Sequence, residues 1–223
     1  MKLWNTRESS LRLLEGELSN QHKAITGLFE ILDLCIDRYS NLMDSAAYFE
    51  VCGIATAKAR NLALGLYGMI LDGLGQEAGA LMRPLIEYNE LLTYFRVEPK
   101  RIVEALNDDL PSAGKRAEKI EGIYKEYRSH LNDHSSHSSF SKYSTKHLLD
   151  EKTGRLRKEQ PLIQKTLERN LRDFWVQIIL MTEEAILSLA AGGDDRFEEI
   201  AVRFDKNKTE GLKTFKLEKK DIP

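Results

Sequence analysis

Apolar residues recur at intervals of three, four or seven positions along most of the chain, which is the repeat of an α-helix with one buried face. The first such run is Leu11, Leu14, Leu18, Ile25, Leu28, Leu32, Cys35 and Tyr39. We predict that this helix begins near Asn5, because asparagine can cap a helix and Glu8 follows three positions later. A chain dominated by this repeat is restricted to an all-α fold.

A second helix is predicted from about Ser45 to Leu74, and it contains Gly53, Gly65 and Gly68. Each glycine inside a helix costs about 0.5–1 kcal/mol relative to alanine. Close approach of a neighbouring helix offsets this cost, and apolar residues lie nearly all round the segment. We therefore expect this helix at the centre of the fold.

The pattern restarts after Gly75, where Pro84 is expected to bend the helix because it lacks an N–H group. Its apolar face is Leu81, Leu85, Tyr88, Leu92 and Phe95. A short segment follows Pro99, and another helix is predicted from Pro111 to Leu131. The last strong run is Ile163, Leu167, Leu171, Phe174, Ile178, Met181, Ala185 and Leu189.

Between these helices, residues from about 132 to 161 form a predicted long loop that is rich in serine. Residues 205–223 are lysine-rich and are predicted to be a flexible tail. The remaining residues 1–204 suit a single domain. The predicted architecture is an antiparallel helical bundle with four or five main helices.

The composition gives little support for several classes of function. A formal net charge of −2 provides no overall attraction to nucleic acid, so any RNA contact must depend on a local patch. Cys35 and Cys52 lie in helical segments and are expected to be buried free thiols. We find no run of about 18 apolar residues and no signal peptide, so we expect a cytoplasmic protein without a membrane span.

Three of the five histidines, His130, His134 and His137, fall within eight residues in the stretch "YRSHLNDHSSHSSFSKYS". On a continuous helix these three imidazoles would share one face, a spacing that can bind a transition metal. The segment "NDHSSHSS" is nevertheless a poor helix former and is typical of a helix end. A metal site at these histidines and a polar helix end are therefore both open.

A third interpretation combines the histidines with Arg128. The segment "RSHLNDH", from Arg128 to His134, resembles the R-x4-6-H motif of the HEPN superfamily, which consists of helical proteins and includes metal-independent ribonucleases of toxin and defence systems. This resemblance implies that Arg128 and His134 are catalytic. It also implies a homodimer with the motif at the interface and no cofactor.

A second resemblance covers more of the chain. "LMRPLIEYNELLTYF" followed by "YKEYRSHLNDHSSHSS" is similar to a bacterial family of helical proteins of unknown function, which has an R-x-x-x-E helix and then a YR…H-x-S segment. The matching positions are Arg83, Glu87, Tyr127, Arg128, Asn132 and His137. This comparison favours His137 as the catalytic imidazole, whereas the shorter motif favours His134, and both remain candidates.

Arginine and histidine are the residue types that RNA cleavage needs. An imidazole exchanges protons near neutral pH, and a guanidinium stabilises charge on a phosphate. On an unbroken helix Arg128 would point about 120° away from His134 and about 180° away from His137. They converge only if the helix breaks near Asn132 or if a second subunit supplies one of them.

Arg83 and Glu87 lie four residues apart, and Glu90 and Tyr94 continue the same polar stripe. One interpretation is an exposed ion pair that contributes about 0.2–0.5 kcal/mol. The other is a buried stripe that faces the histidine segment, with Glu87 orienting an imidazole. On the second interpretation Arg83 and Glu87 support the catalytic residues, together with Tyr127 and Asn132.

Three functions are therefore compatible with the sequence. The first is a HEPN-like ribonuclease of a toxin or defence system, with RNA as substrate and a protein antitoxin or activator as a further partner. The second is a non-catalytic helical module that forms a homodimer or docks another protein. The third is a metal-binding bundle that uses His130, His134 and His137.

Overall fold

The computed structural model describes residues 4–122, 124, 129–131, 145, 148–150, 152–157, 162–218 and 220. The helices of five or more residues among them are α1 (Asn5–Glu15), α2 (Ser19–Leu42), α3 (Ala47–Leu71), α4 (Gly75–Val97), α5 (Ile102–Leu106), α6 (Ala113–Lys119), α7 (Gln164–Ala191) and α8 (Phe197–Phe215), and a 3-10 turn is formed by Pro99–Arg101. The described residues contain no β-strand, and β pairing among them is limited to an isolated bridge between Leu149 and Leu156. The prediction of an all-α fold is confirmed.

Helix α7 is the element around which α2, α3, α4 and α8 pack. It runs parallel to α2, because the two helices contact each other start to start and end to end. At the start of α7, Gln164 donates a hydrogen bond to Glu17, just before α2, at 2.8 Å. Near the end of α7, the carbonyl of Ala185 accepts a hydrogen bond from the hydroxyl of Tyr39, near the end of α2, at 2.8 Å.

Helix α3 is antiparallel to α2, since Arg60 pairs with Asp33 and Tyr67 with His22. Helix α8 is antiparallel to α7, since Lys208 pairs with Glu183 and Phe215 packs on Trp175. The long crossover from α4 to α7 is what lets α7 start at the same end as α2.

Helix α3 confirms the expected close approaches. A Cβ atom at Gly53 would lie 2.9 Å from the Cβ of Tyr39 on α2, and one at Gly65 would lie 3.2 Å from Leu81 on α4. Helix α3 packs on α2, α4 and α7, as expected for a central helix, but Ile54 and Leu64 on its outer side are exposed. The outer side of α3 is therefore mixed, because Lys58 and Asn61 are exposed between these two apolar residues.

The helix predicted from Pro111 to Leu131 is interrupted. Helix α6 ends at Lys119, and Glu121 has a φ of 53°, in the left-handed region that ends helices. The chain is helical again at residues 129–131, where Leu131 is buried in the core. Glycine is required at position 122 for space, because a Cβ atom there would lie 2.8 Å from Oε1 of Glu90 on α4.

The prediction of a flexible tail from residue 205 is wrong for its first part. Helix α8 continues to Phe215, and both Phe204 and Phe215 are buried. The ring centroid of Phe215 lies 5.0 Å from that of Trp175, the fully buried tryptophan of α7. Apolar residues on one side of this lysine-rich segment dock it onto the bundle.

The contact between Gly211 and Trp175 gives a direct test of this docking. A Cβ atom at Gly211 would lie 2.2 Å from Cζ2 of the indole. We expect Gly211→Ala to lower the free energy of unfolding by about 1–3 kcal/mol, because overpacking outweighs the gain in helix propensity. Urea unfolding followed by Trp175 fluorescence in a Trp4→Phe background measures this change.

Gly114→Ala is the matched control, since it makes the same substitution in α6 where no atom lies within 4 Å of the new Cβ. We expect it to be neutral or to stabilise the protein by up to about 1 kcal/mol. Equal effects of the two substitutions would contradict the docking of α8 on Trp175.

Both cysteines are buried free thiols, as expected, and burial raises the pKa of Cys35 and of Cys52 to about 12. The expectation that no segment qualifies as a membrane span is wrong, because α7 is long and apolar enough by length and composition. However, 61% of that stretch is buried inside the bundle. The core helix of a helical bundle meets the same criterion, so no membrane function follows.

Candidate functional site

The predicted site residues fall into two groups. Tyr127, Arg128, Asn132, His134 and His137 lie outside the described residues. Arg83, Glu87 and His130 lie within them, the first two on α4 and His130 in the short helical stretch at residues 129–131. The described part of the site is therefore the polar stripe of α4 and the elements that pack against it.

Arg83 and Glu87 form the pair that their spacing predicts, with Nε of Arg83 donating to Oε1 of Glu87 at 2.9 Å. Their side chains are 34% and 26% exposed, which is neither a free surface pair nor a buried one. A half-buried pair on a rigid helix presents its charges in a fixed orientation. It is open to solvent on one side.

The stripe becomes buried one turn further along α4. Glu90 is only 2% exposed, although its neighbours Leu91 and Leu92 are ordinary core residues. The backbone at Gly122 lies directly over it, since a Cβ atom there would be 2.8 Å from Oε1 of Glu90. The turn after α6 thus packs onto a carboxylate, which is a costly group to remove from water.

The end of the stripe has a structural role. The hydroxyl of Tyr94 donates to Glu104 at 2.8 Å and accepts from Nζ of Lys119 at 3.2 Å. The guanidinium of Arg101 lies over the tyrosine ring at 4.3 Å from its centroid. These contacts hold α5 and α6 against α4 and fix where the turn at Gly122 begins.

A cavity of about 240 Å³ lies beside Glu90, between α4, α7 and the turn after α6. Glu183, Glu184 and Tyr124 also line it. Burial raises the pKa of the Tyr124 hydroxyl, and the negative charges of Glu90, Glu184 and Glu183 raise it further. Three carboxylates therefore act on a single phenol at the point where the chain enters the segment that carries Arg128.

Two cations compensate part of this negative charge. Arg96 on α4 binds Glu184 through two nitrogens, at 2.5 and 3.1 Å, and Lys208 on α8 lies 3.0 Å from Glu183. Burial raises the pKa of Glu184, although the hydrogen bond and the positive charge of Arg96 oppose that rise. The site is a charged cluster held between three helices.

A metal centre receives no support from this cluster. Among the described residues, no group of three or more histidine, cysteine, aspartate or glutamate side chains is arranged to hold a metal ion. Of the alternative metal set, His134 and His137 lie outside the described residues. The carboxylates can instead orient a donor or hold a cationic side chain.

No protein-family model matches the chain, and no curated protein or solved structure matches it significantly. The likeness to the HEPN superfamily and to the R-x-x-x-E helical family therefore remains an interpretation of the motifs.

Glu183 and Glu184 were not among the site residues predicted from the sequence. Their signal is present in "IILMTEEAILSL", where two acidic residues interrupt an apolar stretch of a core helix. Charged residues that are removed from water need partners, so adjacent glutamates in a core helix indicate a polar contact with another element. Which element supplies that contact cannot be deduced from the local pattern.

Proposed function

We propose that the protein is a HEPN-like, metal-independent ribonuclease of a toxin or defence system, in which Arg128 and His134 or His137 act on RNA. The observation that carries the proposal is the buried carboxylate of Glu90. Glu90 lies under the turn at Gly122, and this turn precedes Arg128 by six residues in the sequence. Clusters of buried titratable groups beside a cavity are typical of functional sites.

The chemistry needs no metal. The 2′-hydroxyl of RNA attacks the adjacent phosphorus, its proton passes to a neutral imidazole, and the bond from phosphorus to the 5′ oxygen breaks. The leaving 5′ oxygen then takes a proton from an imidazolium or from water, so the products are a 2′,3′-cyclic phosphate and a 5′-hydroxyl. The guanidinium of Arg128 would stabilise the negative charge that develops on the phosphate oxygens.

The supporting residues have distinct roles in this proposal. Glu87 would orient an imidazole by accepting a hydrogen bond, and Arg83 would keep the Glu87 carboxylate in place through their 2.9 Å contact. Tyr127 precedes the motif and Asn132 lies within it, and both would position the phosphate. A homodimer would bring the motifs of two chains together, and an antitoxin or activator would act on the assembled site in the cytoplasm.

The experiment that tests this function is cleavage of total RNA by the purified protein, with and without EDTA. We expect cleavage that EDTA leaves unchanged and products that end in 2′,3′-cyclic phosphate. Elemental analysis of protein purified without a nickel column measures its metal content and so tests the metal-binding alternative. Cleavage that EDTA abolishes and Zn²⁺ restores would contradict the proposal.

A second candidate function is a non-catalytic interaction module, and the exposed Ile54 and Leu64 on α3 favour it. Exposed apolar side chains contribute to a dimer or docking surface when they form one contiguous patch with their neighbours, whereas single exposed apolar residues are also normal on monomers. A protein that is dimeric in solution and inert towards RNA, with or without divalent metal, would support this module and remove the ribonuclease.

A further inference from the structure

A second cavity lies at the start of α7, towards the other end of this helix from the acidic cluster. It is a cleft of about 580 Å³ where α7 begins, where α2 begins and where α8 ends. Its lining includes the cationic residues Lys165, Arg169, Arg172 and Lys216. Neither predicted motif includes any of these residues, and the proposed ribonuclease does not use them.

Three of these cations have no partner within the described part of the chain. No hydrogen bond or ion pair involves the side chains of Lys165, Arg169 or Lys216, whereas Arg172 pairs with its neighbour Asp173 at 2.9 Å. Cations grouped on a concave surface repel one another unless an anion lies between them. The group therefore favours occupation by a negatively charged ligand.

The carboxylates at the edge of the cleft do not neutralise this group. Glu17 and Glu168 are lining residues, and Nε2 of Gln164 donates to both of them, at 2.8 and 3.1 Å. Four lining cations against two lining carboxylates leave the cleft with a formal charge of +2, although the whole chain carries −2. The positive potential is therefore local to this cleft.

Its size and walls further restrict the ligand. A volume of about 580 Å³ lies within the range of small-molecule sites, which is about 300–1,000 Å³. Ile163, which is exposed, and the ring of Phe215 provide an apolar wall beside the cations. An inorganic ion would leave this wall uncovered, whereas a phosphorylated organic molecule would contact both parts.

We propose that this cleft binds the phosphate groups of a nucleotide-like ligand, with Lys165, Arg169 and Lys216 as the phosphate contacts. Arginine and lysine are the usual partners of phosphate oxygens. The same chemistry would recognise a free nucleoside triphosphate or the terminal nucleotides of an RNA strand. The site does not depend on the proposed ribonuclease activity.

The test measures binding of ATP, of pyrophosphate and of a fluorescent twelve-nucleotide single-stranded RNA to the full chain at low and at physiological salt. The comparison is between Lys165→Gln/Arg169→Gln and the matched variant Arg203→Gln/Lys206→Gln. The matched pair removes two exposed cations of α8 that do not line the cleft. Thermal unfolding of each variant verifies that the bundle remains folded.

We expect at least a tenfold loss of affinity for phosphate probes in the cleft variant and less than a twofold change in the matched variant. If ATP and pyrophosphate bind but the RNA does not, the natural ligand of the cleft is a free nucleotide. If the RNA binds but ATP and pyrophosphate do not, the ligand is an RNA strand. Either result supports the site. Equal weakening by both variants, or no binding of any probe below about 1 mM, overturns the proposal.

Discussion

Replacing Arg128 with alanine is expected to lower the rate of RNA cleavage by on the order of 10²–10⁴ while the bundle remains folded. The physical reason is the loss of a fixed positive charge at the phosphate, where negative charge develops only in the transition state. The rate constant for chemistry should therefore fall far more than the affinity for RNA. Single-turnover cleavage of a defined RNA, with urea unfolding as a check on stability, measures both quantities.

The histidines predict a different signature. The double variant His134→Ala/His137→Ala should lower the cleavage rate about as much as Arg128→Ala does. The two single variants then identify which imidazole takes the proton. The variant that retains cleavage should also retain a rate profile that changes near the ordinary imidazole pKa of about 6.5. His147→Ala and Arg203→Ala serve as controls outside the motif. Full activity in the double variant would remove imidazole catalysis from consideration.

The long helices could be predicted because their burial follows a strict period. On α4 the predicted face contains Leu85, Leu92 and Phe95, and all three are buried. The helical period of apolar residues cannot predict where a helix ends within a polar stretch. Helix α6 ends at Lys119 because the backbone turns over Glu90, and a contact between elements decides that position.

Helix α8 shows where composition misleads. Its lysines suggested a solvated tail, yet Phe204, Gly211 and Phe215 lie seven and four residues apart and form one face. That spacing was available in the sequence. The role of Gly211 was not, because a glycine inside a polar helix is informative only once the indole of Trp175 is known to lie against it.

Some features of the candidate site could likewise be predicted from the sequence, and others could not. The pairing of Arg83 with Glu87 follows from spacing alone, because residues four apart on a helix are neighbours. The burial of Glu90 and its proximity to Glu183 and Glu184 depend on how α4, α7 and the turn after α6 meet. Sequence analysis identified the polar stripe, but only packing distinguishes its half-exposed start from its buried continuation.

The ion pair between Arg96 and Glu184 provides the second large expected effect. The Glu184 side chain is 10% exposed, and Arg96 binds it through two nitrogens. Arg96→Met keeps the aliphatic packing but leaves a buried carboxylate without its cation. We expect a loss of roughly 2–3 kcal/mol in the free energy of unfolding, somewhat less than for a fully buried pair.

The pH dependence identifies the cause of that loss. Burial already raises the pKa of Glu184, and removing Arg96 raises it further. A carboxyl group with a raised pKa in the folded state contributes stability at low pH that disappears as pH rises through that pKa. Arg96→Met should therefore cost more at pH 8 than at pH 5 in urea unfolding.

Two further variants make this prediction decisive. Arg96→Met/Glu184→Gln should recover much of the lost stability and abolish the extra pH dependence, because no buried charge remains. Glu87→Gln breaks the half-exposed pair on the same helix and should cost no more than about 0.5 kcal/mol. If Arg96→Met were as mild as Glu87→Gln, the acidic cluster would be well solvated. Its carboxylates would then be too weakly held to orient a catalytic group beside the arginine–histidine segment.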